Sequence, residues 1–188
     1  MRAFRRAGGG VLEAEIEEFE VALLTSMAEQ LQQLLGGEEE PVDHALDAFG
    51  WLAASAARTV ELDRSDPLIE RLFPPAYLDD PRAAADFRRF TEDDARRARV
   101  AQARVVLDDL ADTGDGARPL RIRPDRVEAW LKTVNALRLS LSVRLRITDE
   151  ASLDALEAIG PRDPLAPLVD LYDWLGFVLE SLLEALDA

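Results

Sequence analysis

No cysteine occurs in the 188 residues, which excludes disulfides, thiol catalysis, thiol redox sensing and cysteine-ligated zinc. The single histidine, His44, rules out a multi-histidine metal site and leaves little room for histidine-based pH switching. Lysine is almost missing too: Lys132 is the only one, and every other basic side chain is arginine. That bias suits bidentate anion recognition, although a GC-rich genome produces the same bias. No apolar run approaches the ~18 residues of a membrane span. Met1-Arg2-Ala3-Phe4-Arg5-Arg6 leads into glycines rather than a signal-peptide core, so a cytoplasmic protein without membrane contact is expected. Catalytic signatures are missing as well: there is no Gly-x-Ser-x-Gly elbow, no phosphate-binding Gly-x-x-x-x-Gly-Lys loop and no dinucleotide fingerprint. The expectation is a protein that is not an enzyme and carries no cofactor or metal.

What is present is an ordinary globular balance, 48% hydrophobic and 31% charged. The length suits one domain over 1–188, long enough to bury roughly 70% of its unfolded surface. The net charge of −15 is uneven. Residues 1–81 carry 6 basic and 17 acidic side chains, residues 82–146 carry 15 and 10, and residues 147–188 carry 1 and 10. A basic middle therefore lies between two acidic flanks. The whole-chain charge repels phosphate backbones, so any nucleic-acid contact has to come from that middle.

The order of elements reads as mainly α: a compact multi-helix domain with a small N-terminal antiparallel β-hairpin. Arg2–Arg6 and Val11–Glu15 flank the Gly8-Gly9-Gly10 turn, which gives a hairpin over 1–15. Helical spacing then runs through 17–112. Phe19, Leu23, Met27, Leu31 and Leu34 share one face, and Gly36-Gly37 ends that helix. A second helix is expected over 43–58. Asp66-Pro67 starts a short one that stops at Pro74-Pro75. Pro81 to Phe90 reads as another helix, and Thr91-Glu92-Asp93-Asp94 as the cap of the next, which runs to Asp112. A loop spans 113–118, and Leu120-Arg121-Ile122 alternates as a third short strand would. Helices fill 119–188: one on Val127, Trp130, Leu131, Val134, Leu137, Leu141 and Leu145, a short one capped near Thr148-Asp149-Glu150, and a last one to Leu186. That last helix carries Leu168, Tyr172, Leu175, Leu179, Leu182 and Leu186, widened by Leu171, Phe177, Val178 and Leu183. A stripe this wide predicts a helix sandwiched between neighbours.

The acidic clusters Asp79-Asp80, Glu92-Asp93-Asp94 and Asp108-Asp109 could hold a cation or work as acid and base. Helix-start dipoles, a turn and a solvated patch explain them more simply. His44 reads as a surface residue. Trp130, Trp174 and Tyr172 read as core anchors, and Asn135 and Arg138 as members of a structural hydrogen-bond network. The suggestive feature is the arginine run Arg82, Arg88, Arg89, Arg96, Arg97 and Arg99, followed by Arg104. If Thr91 separates two helices, these arginines decorate a helix-turn-helix and form a candidate nucleic-acid or partner surface. The competing reading pairs them locally, as Glu92–Arg96 and Asp93–Arg97, on a solvated face.

Four strings stand out together. They are Asp66-Pro67-Leu68 to Arg71-Leu72-Phe73-Pro74 with Ala76-Tyr77 and Asp79-Asp80; Asp86-Phe87-Arg88-Arg89-Phe90-Thr91-Glu92; Trp130-Leu131 with Asn135-Ala136-Leu137-Arg138-Leu139 and Arg144-Leu145; and Tyr172-Asp173-Trp174-Leu175 with Glu180-Ser181-Leu182. In this order, after Phe4-Arg5-Arg6, they resemble an actinomycete family of oxidative-stress transcriptional regulators long catalogued as a bacterial domain of unknown function. The resemblance implies a cytoplasmic regulator of oxidative-stress and sulfur-metabolism genes that works with an alternative sigma factor. It also implies a link to Clp-dependent proteolysis. Two departures stand out. The family's disulfide switch has no counterpart in a chain without cysteine, and Ala136 and Ser142 replace an acid and a glycine common in the family.

The leading expectation is therefore a non-enzymatic regulator acting through protein partners, with any DNA contact made through residues 82–104 and weak for the isolated chain. The alternative is a protein-only adaptor. A homodimer is left open. Contiguous Arg88, Arg89, Arg96 and Arg97 would favour DNA, and scattered, paired arginines would favour protein partners. Because Met27 is the only internal oxidisable sulfur, mild peroxide should form no covalent dimer and should leave the melting temperature unchanged. Non-reducing gels and melting curves before and after treatment check this, and a disulfide-linked species would refute it.

Overall fold

Gly9 and Gly10, at φ of 73° and 75°, turn the chain through a conformation that residues with a side chain rarely adopt. The Ala7 N–H donates to the Val11 carbonyl at 2.7 Å across the turn. Strand β1 (Arg5–Arg6) thereby pairs antiparallel with β2 (Leu12–Ala14), as the sequence predicts. The computed structural model describes residues 1–36 and 66–188, so the expected helix over 43–58 and His44 lie outside the described residues. The alternating Leu120–Ile122 is indeed a third strand, β3, and it pairs antiparallel with β2. Leu12, Ala14, Leu120 and Ile122 are buried on one face of this small sheet, while Glu13 and Arg121 form an ion pair at 3.7 Å on the other.

Helix α1 (Glu18–Leu34) starts where the Glu17 N–H donates to the Glu20 carboxylate at 2.9 Å, and the Met1 ammonium contacts that same carboxylate. Leu23, Met27, Leu31 and Leu34 are buried, but Phe19 is 64% exposed, against the expectation that it shares their face. Steps of four residues drift about 40° around a helix, so the first member of a run of fours leaves the buried side. Helix α2 (Pro67–Leu72) follows the predicted design: the Asp66 side chain accepts from the Leu68 N–H at 2.9 Å, with proline at the first helical position.

The largest correction concerns residues 81–111. They form one helix, α3 (Pro81–Ala111), about 46 Å long at 1.5 Å per residue, in place of two helices meeting at Thr91. Asp80 caps it, accepting from the Arg82 and Ala83 N–H groups at 3.1 and 2.9 Å. Thr91 does not cap anything. Its hydroxyl donates to the Phe87 carbonyl at 2.9 Å, which lets a threonine sit in mid-helix with its side chain satisfied.

Toward its C-terminal end α3 buries Ala103, Val106 and Leu110. Asp109 is buried with them, which corrects the view of Asp108-Asp109 as a solvated patch. Its carboxylate accepts from Arg126 and, at 2.9 Å, from the Trp130 indole N–H. That hydrogen bond and the adjacent negative charge raise the pKa of Arg126 above its ordinary value. Asp108, by contrast, is exposed and pairs with Arg104 at 3.3 Å. Trp130 is thus a core anchor with its one donor satisfied. It belongs to helix α4 (Val127–Arg144), whose Val127, Trp130, Val134, Leu137 and Leu141, with Leu145 just beyond, are buried against α2, α3 and the C-terminal helix.

The short α5 (Glu150–Asp154) is capped by Asp149, which accepts from the Ser152 N–H at 2.8 Å. Hydrogen bonds from the Ser152 backbone and hydroxyl hold the Asp149 carboxyl below its ordinary range. Helix α6 (Ala166–Asp187) buries Leu171, Tyr172, Leu175, Val178 and Leu182 against α4 and the first two strands. Phe177, Leu183 and Leu186 are exposed, so the predicted stripe is wider than the part of α6 that is covered. Leu175 is fully buried in that contact. Leu175→Ala should cost roughly 2–5 kcal/mol of stability, seen as a lower melting temperature by calorimetry. An unchanged melting temperature would place the stripe at the surface.

Candidate interaction surface

All six candidate arginines lie on α3, spread over about half of its circumference. At 100° per residue, Arg88 and Arg96 lean toward the rest of the protein while Arg82, Arg89 and Arg97 turn outward, in line with their half-buried and exposed states. The structure does not bring them onto one face.

Two of them serve the packing directly. Arg96 donates to the Leu35 carbonyl at 3.2 Å, at the end of α1, and reaches Asp93 at 3.6 Å. Arg99 donates to the Leu72 carbonyl at 2.7 Å, at the end of α2, and lies 5.1 Å above the Phe73 ring. The last carbonyls of a helix have no intrahelical partner, and a cation there also meets the negative end of the dipole. Arg96 and Arg99 are therefore C-terminal caps supplied from a neighbouring helix. Burial lowers the pKa of Arg99 from its ordinary value. Gly36 shows how tight the first contact is. It sits at φ 73°, which favours glycine, and a Cβ there would come within 2.8 Å of an Arg96 guanidinium nitrogen, so a side chain would push that guanidinium aside.

Arg97 pairs with Asp94, three residues earlier. The expected local pairing thus exists at a spacing of three, in Asp93–Arg96 and Asp94–Arg97, rather than as Glu92–Arg96 and Asp93–Arg97. Arg89 stacks over Phe90 with 4.9 Å to the ring centroid. Elsewhere, Arg138 stacks over Tyr172 at 4.3 Å, while Asn135 is exposed. No group of three or more His, Asp or Glu among the described residues is placed to hold a metal ion. No helix among them is long and apolar enough to cross a membrane.

Sequence reasoning passed over a different feature of α3. Between Pro81 and Arg99 the only buried side chain is Ala84, whereas Phe87 is 45% and Phe90 71% exposed, with Tyr77 and Leu78 just ahead at 50% and 84%. The Tyr77 and Phe87 rings meet edge to face, 6.0 Å between centroids. On the continuous helix Phe90 falls roughly opposite Ala103 and Val106, and Phe87 lies about 60° from Phe90 on the same outer flank. A break at Thr91 hides that periodicity.

The chain matches the model of a bacterial domain of unknown function, DUF2017, over residues 1–186. It belongs to this family. A Mycobacterium leprae protein carrying the name AosR is 31% identical over 197 aligned positions, covering 97% of this chain and 85% of that protein. The oxidative stress regulator AosR of Mycobacterium tuberculosis, and that of Mycobacterium bovis, are 29% identical over 178 positions, covering 87% of this chain and 76% of theirs. No solved structure matches the chain.

The two roles of the arginines can be separated by substitution. Arg96→Ala and Arg99→Ala should each destabilise the protein by about 1.5–3 kcal/mol, the range for hydrogen bonds from charged groups. Arg82→Ala and Arg89→Ala, at exposed positions, should stay within about 0.5 kcal/mol. Urea unfolding of the four variants measures this, and a neutral Arg99→Ala would refute the capping role.

Proposed function

We propose that this chain is a non-enzymatic, cytoplasmic regulator in the oxidative-stress response that controls transcription by contacting proteins rather than by reading DNA. The curated relatives named oxidative stress regulators supply the biological setting. The observation that carries the choice of mechanism is the arginine arrangement. A groove-reading helix needs several free cations on one face. Here, Arg96 and Arg99 are tied to the carbonyls of Leu35 and Leu72 and Arg97 is paired with Asp94, which leaves Arg82 and Arg89 together on the outer side, with Arg88 turned about 100° from Arg89. With no helix-turn-helix at Thr91 and a net charge of −15, long-range attraction to a duplex is lacking. Both partner classes that the resemblance implies, an alternative sigma factor and the Clp-linked proteolytic machinery, are proteins.

Oxidation chemistry supports the same division of labour. Met27 is 2% exposed and no thiol exists, so an oxidant has no accessible internal sulfur to modify. In this reading the chain transmits a signal that a partner senses.

Fluorescence anisotropy with duplex DNA tests the proposal. Binding of the isolated protein should be no tighter than about 10⁻⁴–10⁻⁶ M at physiological salt, the range of non-specific association. Replacing Arg82, Arg88 and Arg89 together with alanine should not alter co-purification of a protein partner from native cytoplasm. Tight, sequence-selective DNA binding by the isolated protein would overturn it.

A further inference from the structure

We infer that the N-terminal half of α3 is the surface through which two copies of this chain associate, as an antiparallel pair of helices with Phe87 and Phe90 at its centre. This inference stands apart from the proposed function and does not depend on which partner the protein regulates.

Three observations carry it. The first is apolar exposure. Tyr77, Leu78, Phe87 and Phe90 are each 45% or more exposed and sit close together on one end of one helix and the turn before it. Aromatic clusters of this kind are enriched at interfaces and uncommon on bare surfaces. They are also held in place: Tyr77 packs edge-on against Phe87 and Arg89 covers Phe90, so little ordering is left to occur on association.

The second is spacing. Ala83, Phe87, Phe90, Asp94 and Arg97 follow one another at steps of four, three, four and three, the seam of two packed helices. A two-fold axis between Phe87 and Phe90 sets each phenylalanine of one copy against the other phenylalanine of the second. The same axis brings Arg97 opposite Asp80, the residue that caps the start of α3. A two-fold contact uses the same patch on both copies, so each of these pairings occurs twice.

The third is charge, which decides the occupant. Two chains of net charge −15 repel one another, and their acidic flanks cannot meet. Over 81–97 the five arginines Arg82, Arg88, Arg89, Arg96 and Arg97 face the four acids Asp86, Glu92, Asp93 and Asp94, leaving the arm close to neutral. It is a stretch where two copies can approach without a local charge penalty, and its mixed signs complement themselves.

This predicts a salt dependence of distinctive sign. Raising NaCl from about 0.1 M to 1 M shortens the screening length from about 10 Å to about 3 Å. Such screening removes repulsion between the acidic flanks while leaving an aromatic contact intact. Dimerisation should therefore strengthen with salt, whereas a contact with a duplex weakens. Sedimentation equilibrium of the full chain at both salt concentrations provides the test. The wild-type protein should show a monomer–dimer equilibrium that shifts toward dimer at high salt. Phe87→Asp combined with Phe90→Asp should weaken the association at least about tenfold with unchanged circular dichroism and melting temperature, because both side chains are exposed. Phe177→Asp, at an exposed phenylalanine on α6, should leave it unchanged. A wild-type protein that stays monomeric at every concentration, a dimer indifferent to the Phe87/Phe90 substitutions, or one lost on Phe177→Asp would each overturn the inference.

Discussion

Helices α1 and α2 both end with carbonyl groups directed at the flank of α3, and those groups have to be satisfied by something other than their own helices. Arg96 meets the end of α1 at Leu35 and Arg99 meets the end of α2 at Leu72. These two contacts, less than one turn apart on α3, fix how far the long helix is pushed along its neighbours. Beyond them toward the C-terminus, Ala103, Val106 and Leu110 fall into the core and Asp109 reaches Trp130 and Arg126. Before them, toward the N-terminus, α3 has almost nothing of its own to bury. The aromatic arm is a consequence of that placement: among the described residues the helix continues past its supports at α1 and α2, from its cap at Asp80.

The legible part of the sequence was the part governed by period. The leucine and valine stripes of α4 and α6, the Asp66-Pro67 start, the glycine turn and the alternation at Leu120–Ile122 each depend on neighbours within a few residues, and each is found where that spacing puts it. What escaped depends on distant partners. Thr91-Glu92-Asp93-Asp94 has the composition of a helix start, but a threonine can equally return its hydroxyl to the carbonyl four residues back, and nothing local separates the two outcomes. Asp109 looks like its neighbour Asp108 until a tryptophan 21 residues away supplies its N–H. The width of the α6 stripe overstated its burial because Phe177, Leu183 and Leu186 extend it past what α4 and the sheet can cover. The arginines were the least legible. Composition makes them a basic patch, and only the positions of two helix ends reveal that two of them are caps.

The charges of the basic middle are held differently from those of the acidic C-terminal segment. Within residues 82–146, whose formal +5 already counts their own acids, Arg97, Arg104 and Arg126 pair with Asp94, Asp108 and Asp109, and Arg96 and Arg99 are directed at the carbonyls of Leu35 and Leu72. The acidic C-terminal segment is not offset in the same way. On α6, Asp170, Asp173, Glu180, Glu184 and Asp187 are exposed, and among the described residues none of them forms an ion pair with a cation. Two guanidinium groups meet this helix: Arg6 of β1 donates at 3.1 Å to the Leu186 carbonyl, and Arg138 of α4 stacks over the Tyr172 ring. The acidic flanks therefore dominate the field outside the protein, in keeping with its net charge of −15. A field of that kind raises the encounter rate with cationic surfaces and lowers it with nucleic acid or with acidic proteins. A protein partner that meets this chain rapidly should thus present a basic face, and a second copy can meet it only where the charges already balance, on the arm of α3.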